Sequence, residues 1–221
     1  MTAAGSSAWR LVVPVKERSR AKSRLRVPDG VARDELAAAF ALDTLTAVYD
    51  VVPADRVFVV TDDEQLAAFV ATRHGGVVPD PGRGLNPAIA AGLAAATPDG
   101  LAPEQVCAPG AVLLGDLPAL SPDELSAGLR ACAVSESSVI PDQDGTGTVL
   151  LTHHDLRRIV PRFGAGSAAR HARVARVLTP DLPRLRTDVD TDTALAQAVS
   201  LGVGPRTAAV LGVCAASASV G

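Results

Sequence analysis

The sequence predicts an α/β fold, a single domain on a mainly parallel sheet. Two observations predict it. Short Val/Leu runs alternate with longer segments in which apolar residues recur at helical spacing. Neither a repeat nor a composition break interrupts this alternation, and 221 residues suffice to bury one core. Residues 1–206 are expected to form the domain, with 207–221 as a weakly ordered tail.

Taken in order, LVVPV (11–15) reads as a strand followed by a basic loop. ARDELAAAFALDTLTAVYDVV (32–52) has the spacing and composition of a helix. RVFVVTDD (56–63) is a strand ending in acids, EQLAAFVATRH a helix and GVVPD a short strand. LNPAIAAGLAAA (85–96) is a helix, with Asn86 as its expected cap and Pro87 at its first position. AVLLGDLP (111–118) is a strand ending at Asp116. Ser121-Pro122, with Glu124 three residues on, has the form of a capping box opening the next helix. SSVIPD and GTGTVLLT are strands; helices are expected around HDLRRIV and around GSAARHARVARV. A last helix runs from Asp192, its expected N-cap, to about Leu201.

Hydrophobic residues make up 48% and charged residues 20%, as in an ordinary soluble globular chain. A net charge of -3 argues against a general nucleic-acid binder, which carries a broad basic face. Cys107, Cys132 and Cys214 form no CxxC pair and read as isolated buried thiols. No secretory signal and no bilayer-spanning run is present, so the expected location is the cytoplasm, without a membrane partner. A homodimer is compatible with the sequence.

In parallel sheets ligands bind at the carboxyl ends of the strands. The first strand is followed there by six cations on alternate residues: Lys16, Arg18, Arg20, Lys22, Arg24 and Arg26. They read either as a solvated loop or as a clamp for a polyphosphate. The second strand ends in Asp62 and Asp63, and AVLLGDLP leads into Asp116, which is suited to a divalent ion or to a turn. In TDVDT, Asp188 and Asp190 are two residues apart, so on an extended chain their carboxylates face one side. Such a pair is costly without a cation between them, and Mg²⁺ fits. Asp192 is better explained as a cap. GTGT (145–148) and RFGAGSAARH (162–171) offer backbone N–H groups, the hydroxyls of Thr146, Thr148 and Ser167 and a helix start, or simply a hairpin and a capped helix. His171 reads as a surface or core histidine rather than a catalyst. Gly84 and Asn86 either shape the helix start or present groups to a purine base.

With these pieces in this order, the chain resembles the phosphoenolpyruvate/2-phospho-L-lactate guanylyltransferase family of coenzyme F-420 biosynthesis. The matching stretches are PVKERSRAKSRL, ALDTLTAV, GLNPAI, LLGDLPAL, DQDGTGTVLL, PRFGAGSAARH, LRTDVDT and LGVGP, from about Leu11 to Pro205. The resemblance implies a Rossmann-like nucleotidyltransferase related to the molybdopterin guanylyltransferases. It would join GTP to a small phosphorylated acid, releasing pyrophosphate. Phosphoenolpyruvate is the favoured acid; 2-phospho-L-lactate and 3-phosphoglycerate are alternatives. Thr148, Gly164 and Ser167 would bind the acid, and Asp116, Asp188 and Asp190 would hold Mg²⁺. Lys16, Lys22 and Arg24, with Gly84 and Asn86, would bind GTP, and Lys22 and Asp116 would act in catalysis. The LAGGxSxRMGxxK loop of sugar- and molybdopterin-nucleotide enzymes is absent. A non-catalytic nucleotide-binding regulator is the alternative of another class, but it would be expected to have lost some of these carboxylates.

Overall fold

The computed structural model describes residues 9–15, 25, 27, 30–98, 100 and 108–213. Its sheet contains seven strands: β1 (Arg10–Pro14), β2 (Val57–Val60), β3 (Gly76–Val78), β4 (Gly110–Leu113), β5 (Ser137–Pro141), β6 (Thr148–His153) and β7 (Arg176–Val177). Their order across the sheet is β3-β2-β1-β4-β6-β5-β7. Only β6 pairs antiparallel to its neighbours β4 and β5; the other pairings are parallel. The mixed, mainly parallel sheet read from the sequence is therefore present.

β1 lies between β2 and β4, and both reach it through helical crossovers. The chain builds outward to β3 and then returns to the other side of β1. Strand order reverses there, which opens a crevice beyond the carboxyl ends of β1 and β4. β1 ends at that crevice and the Asp116 turn leaves β4 beside it.

The pleat of β1 divides the core. Leu11 and Val13 join one apolar cluster with Leu45 and Val48 of α1 (Arg33–Tyr49) and Leu125 and Leu129 of α4 (Pro122–Cys132). Val12 points the other way, into a cluster with Ile89 and Leu93 of α3 (Leu85–Ala96). A third cluster joins Leu36 and Phe40 of α1 to Leu25, Val189 and Leu195. It ties the segment after β1 to the DVD segment. Cys132 is a buried free thiol, pushed up to about 11 by burial; Cys107 and Cys214 lie outside the described residues.

Several local expectations change. α3 begins at Leu85 and is capped by Gly84, so Asn86 lies inside its first turn and is not the cap. Ser121 caps α4 as expected, its hydroxyl accepting from Glu124 N–H at 3.3 Å. The capping box is not closed, because the Glu124 carboxylate instead accepts from Leu185 N–H in α6 (Pro183–Arg186). α7 (Asp192–Leu201) is capped by Thr191, which places Asp192 at its first helical position. HDLRRIV makes only a short 3-10 turn at Leu156–Arg158. GSAARHARVARV divides into a five-residue helix, α5 (Ser167–His171), and the edge strand β7. The tail expected after Arg206 begins inside another helix, α8 (Pro205–Leu211), which packs on α1.

Candidate active site

The carboxylates converge through backbone ties between loops. The buried β4 strand delivers Asp116 at the crevice, and Asp116 C=O accepts from Val189 N–H at 3.1 Å. Val189 is fully buried, so the extended segment turns Asp188 and Asp190 away from that core residue. Asp188 is pushed up to about 7 by burial and then by the charges of Asp116, Asp142 and Asp190. Four carboxylates thus share one field.

That donor set suits a hard divalent cation, because only oxygens are offered and their mutual repulsion is relieved by positive charge. Among the described residues there is no group of three or more His, Cys, Asp or Glu side chains that could by itself hold a metal ion. Mg²⁺ needs only one or two carboxylates when substrate phosphates and water complete its shell.

Asp142 was not singled out from the sequence. Its carboxylate accepts from the Thr146 and Gly147 N–H groups at 2.9 and 2.6 Å. A Cβ at Gly147 would collide with that carboxylate, which explains the glycine. The N–H groups of Thr146 and Gly147 are therefore spent on Asp142, contrary to the expectation that the GTGT turn offers them to an anion. The available signal was an Asp four and five residues ahead of a Gly-rich turn, the pattern of a side chain that closes a local loop.

The other half of the site is built from β6, the 162–166 loop and α5. Thr148 opens β6 and is buried, and its Oγ1 lies 2.9 Å from Nδ1 of the fully buried His171. His171 Nε2 accepts from Arg162 N–H at 3.0 Å. Burial, then the charges of Arg170 and Arg162, lower its pKa to about 4, so the ring is neutral at pH 7. Gly164 sits at φ 112°, a conformation that favours glycine. Ser167 N–H donates to Gly164 C=O at 3.0 Å, which closes the turn into α5. Arg170 fastens the same turn from outside by donating to Arg162 and Ala165 carbonyls.

Asn86 reaches across from α3. Its Nδ2 donates to Phe163 C=O at 3.1 Å and its Oδ1 accepts from Phe163 N–H at 2.7 Å. The amide thus clamps the 162–164 turn, a role that the helix-cap reading missed. Gly84 is exposed at the head of the same helix. Asp63 caps α2 (Glu64–Ala71), and Asp62 accepts from Asp80 N–H, so both acids after β2 have structural partners. Lys16, Arg18, Arg20, Lys22, Arg24 and Arg26 lie outside the described residues. Val15, before that stretch, and Leu25, within it, are described. Val15 N–H donates to Val60 C=O, and Leu25 is buried in the third cluster. A separate cavity of about 220 Å³ includes His153, Arg158, Arg162 and His171 in its lining and none of the four carboxylates.

This arrangement has known counterparts. A family model described as the MobA-like NTP transferase domain matches residues 34–189. A phosphoenolpyruvate guanylyltransferase of Geodermatophilus obscurus is 44% identical, over 93% of this chain and 94% of its own. One of Salinispora arenicola is 45% identical over 95% and 96%, and one of Streptomyces coelicolor 46% identical over 91% and 95%. Among solved structures, a nucleotidyl transferase from Methanothermobacter has a TM-score of 0.50 at 20% identity, covering 86% of this chain and 94% of its own. A 4-diphosphocytidyl-2C-methyl-D-erythritol synthase from Anaerococcus prevotii has 0.52 at 13%, covering 89% and 96%. These two share the fold. The sequence identities carry the closer relationship: this chain belongs to the phosphoenolpyruvate guanylyltransferase family and is built on the MobA-like NTP transferase domain.

Proposed function

We propose that the chain transfers GMP from GTP to phosphoenolpyruvate, giving enolpyruvyl-diphospho-guanosine and pyrophosphate. The carrying observation is the meeting, at the crevice beyond β1 and β4, of the Asp116, Asp142, Asp188 and Asp190 carboxylates with the buried Thr148 and Ser167 and the Gly164 turn. The names of the relatives support the acid.

Two polyanions must come together in this reaction. A phosphate oxygen of the acid attacks the α-phosphorus of GTP. One P–O bond forms there as the bond to the β-phosphate oxygen breaks and pyrophosphate departs. The attacking oxygen is already anionic at pH 7, so no general base is needed. The protein's task is positioning and charge neutralisation. Asp116, Asp188 and Asp190 would hold Mg²⁺, which when bound supplies charge stabilisation at the phosphates. Lys16, Lys22 and Arg24 would supply the cationic side, with Lys22 acting in catalysis. Gly84 would face the guanine, with Asn86 acting on that side through its clamp on Phe163, and Thr148, Gly164 and Ser167 would hold the acid. The product is consumed in coenzyme F-420 biosynthesis, in the cytoplasm. Support for that setting comes from the resemblance of the motifs. Among the described residues no helix is long and apolar enough to cross a membrane.

The test is pyrophosphate release from GTP and Mg²⁺ with each acid in turn. Phosphoenolpyruvate should give the highest kcat/KM. Turnover with 2-phospho-L-lactate or 3-phosphoglycerate and none with phosphoenolpyruvate would reassign the acid.

A further inference from the structure

His171 has a hydrogen-bond pattern that admits one protonation state. Its Nε2 faces a backbone N–H, that of Arg162, at 3.0 Å. A backbone N–H can only donate, so Nε2 must be the unprotonated acceptor. The proton of the neutral ring then sits on Nδ1 and is donated to Thr148 Oγ1, 2.9 Å away. A doubly protonated ring, or one with the proton on Nε2, would set two donors against each other.

This arrangement has a consequence for Thr148. A hydroxyl is one donor and two acceptor sites. With one acceptor site occupied by Nδ1–H, the hydroxyl proton cannot go to the imidazole and is left for a ligand. An anionic acceptor needs donors, so the histidine turns an ambivalent hydroxyl into a committed one. The same ring packs edge-on against Phe163, centroid to centroid 5.0 Å, and Phe163 is held on both its backbone groups by Asn86. A single buried side chain therefore fixes Thr148 and the turn that presents Gly164.

We propose that His171 is a positioning residue of the phospho-acid pocket: Nδ1–H directs the Thr148 hydroxyl proton at the acid, and Nε2 holds the 162–164 turn. The proposal rests on the guanylyltransferase reading and deepens it. His171 does not touch the reacting atoms; it acts through Thr148 and Gly164.

Two conservative variants separate its two bonds. The amide of His171→Asn can donate from near the Nδ1 position, and that of His171→Gln can accept near the Nε2 position. His171→Gln should raise the KM for phosphoenolpyruvate about tenfold, the worth of one such hydrogen bond. His171→Asn should recover most of that loss, and the KM for GTP should stay within about twofold in both, a change too small for one such bond. In a Thr148→Val background, His171→Gln should add little, because the hydroxyl it directs is already gone. Long-range ¹H–¹⁵N spectra of the substrate-free protein should show Nδ1 protonated and Nε2 not, a readout that needs no activity and no folded variant. A proton on Nε2, additive effects of the two variants, or equal rises in both KM values would overturn the role of His171. A wild-type chain that releases no pyrophosphate with phosphoenolpyruvate would defeat the acceptor assignment itself, whatever the tautomer.

Discussion

At the residue scale, the Asp188 carboxyl is strongly perturbed, and its environment makes a prediction about the metal-free protein. Its folded-state pKa of about 7 lies above the ordinary 3.8. Between those values the folded chain keeps a proton that the unfolded chain releases, so the linkage slope is negative. Stability of the metal-free protein should fall as pH rises from about 4 to about 7, and the loss should be complete above about 7. Asp188→Asn should flatten that part of the profile, and Mg²⁺ at pH 8 should restore wild-type thermal stability more than that of the variant. Thermal melts across pH, with and without Mg²⁺, read this directly; identical profiles for the two proteins would remove the strain assigned to Asp188. The pairing of Asp188 with Asp190 was legible because the alternation of a buried Val189 between two acids is a local property of extended chain. Asp142 was not legible as a member of the group. Its contribution depends on a hairpin that returns it beside a segment more than forty residues away, and only the strand order supplies that meeting.

At the element scale, α1 is apolar nearly all round, with Leu36, Ala39, Phe40, Leu42, Leu45 and Val48 buried on different faces. Such a helix needs cover on more than one side. The sheet covers one side and α8 another, which is why residues 207–211 are helical and not a loose tail. The junction is polar and specific. Buried Asp43 of α1 accepts from Arg206 N–H at 3.2 Å and from Thr207 N–H at 2.8 Å, satisfying the first turn of α8. Asp43→Ala should therefore cost about 2 kcal/mol of stability, the range for a buried hydrogen-bonded charge. Urea denaturation measures it, and a change below about 0.5 kcal/mol, the size of an ordinary surface substitution, would show that α8 is not held this way. The sequence carried this signal in an Asp within an apolar helix, but its partner lay more than 160 positions away. The helix expected around residues 166–177 failed for another reason. Ala and Arg favour helix over that whole stretch, yet the chain leaves the helix after His171 so that Arg176 and Val177 can pair with β5 at the sheet edge. Tertiary pairing overrode propensity there.

At the scale of the whole molecule, the alternation of strands and helices says where a site is expected. It predicted a mainly parallel sheet, and ligands in such sheets meet the carboxyl ends of strands at a reversal of strand order. The reversal falls between β1 and β4, the strands that lead into the basic segment and into Asp116. What the pattern could not supply was the insertion of antiparallel β6 between β4 and β5. That insertion carries Thr148 in and sets the half proposed for the phospho-acid beside the carboxylates. The central claim is that these two halves make one site for joining a nucleotide to an acid through a new diphosphate link. The most direct measurement incubates the full chain with GTP, phosphoenolpyruvate and Mg²⁺ and identifies the products by mass spectrometry and ³¹P NMR. The account predicts enolpyruvyl-diphospho-guanosine and pyrophosphate in equal amounts, with the rate falling about a hundredfold in a folded Asp190→Asn variant. GDP and inorganic phosphate as the only products, or an undiminished rate in Asp190→Asn, would contradict it.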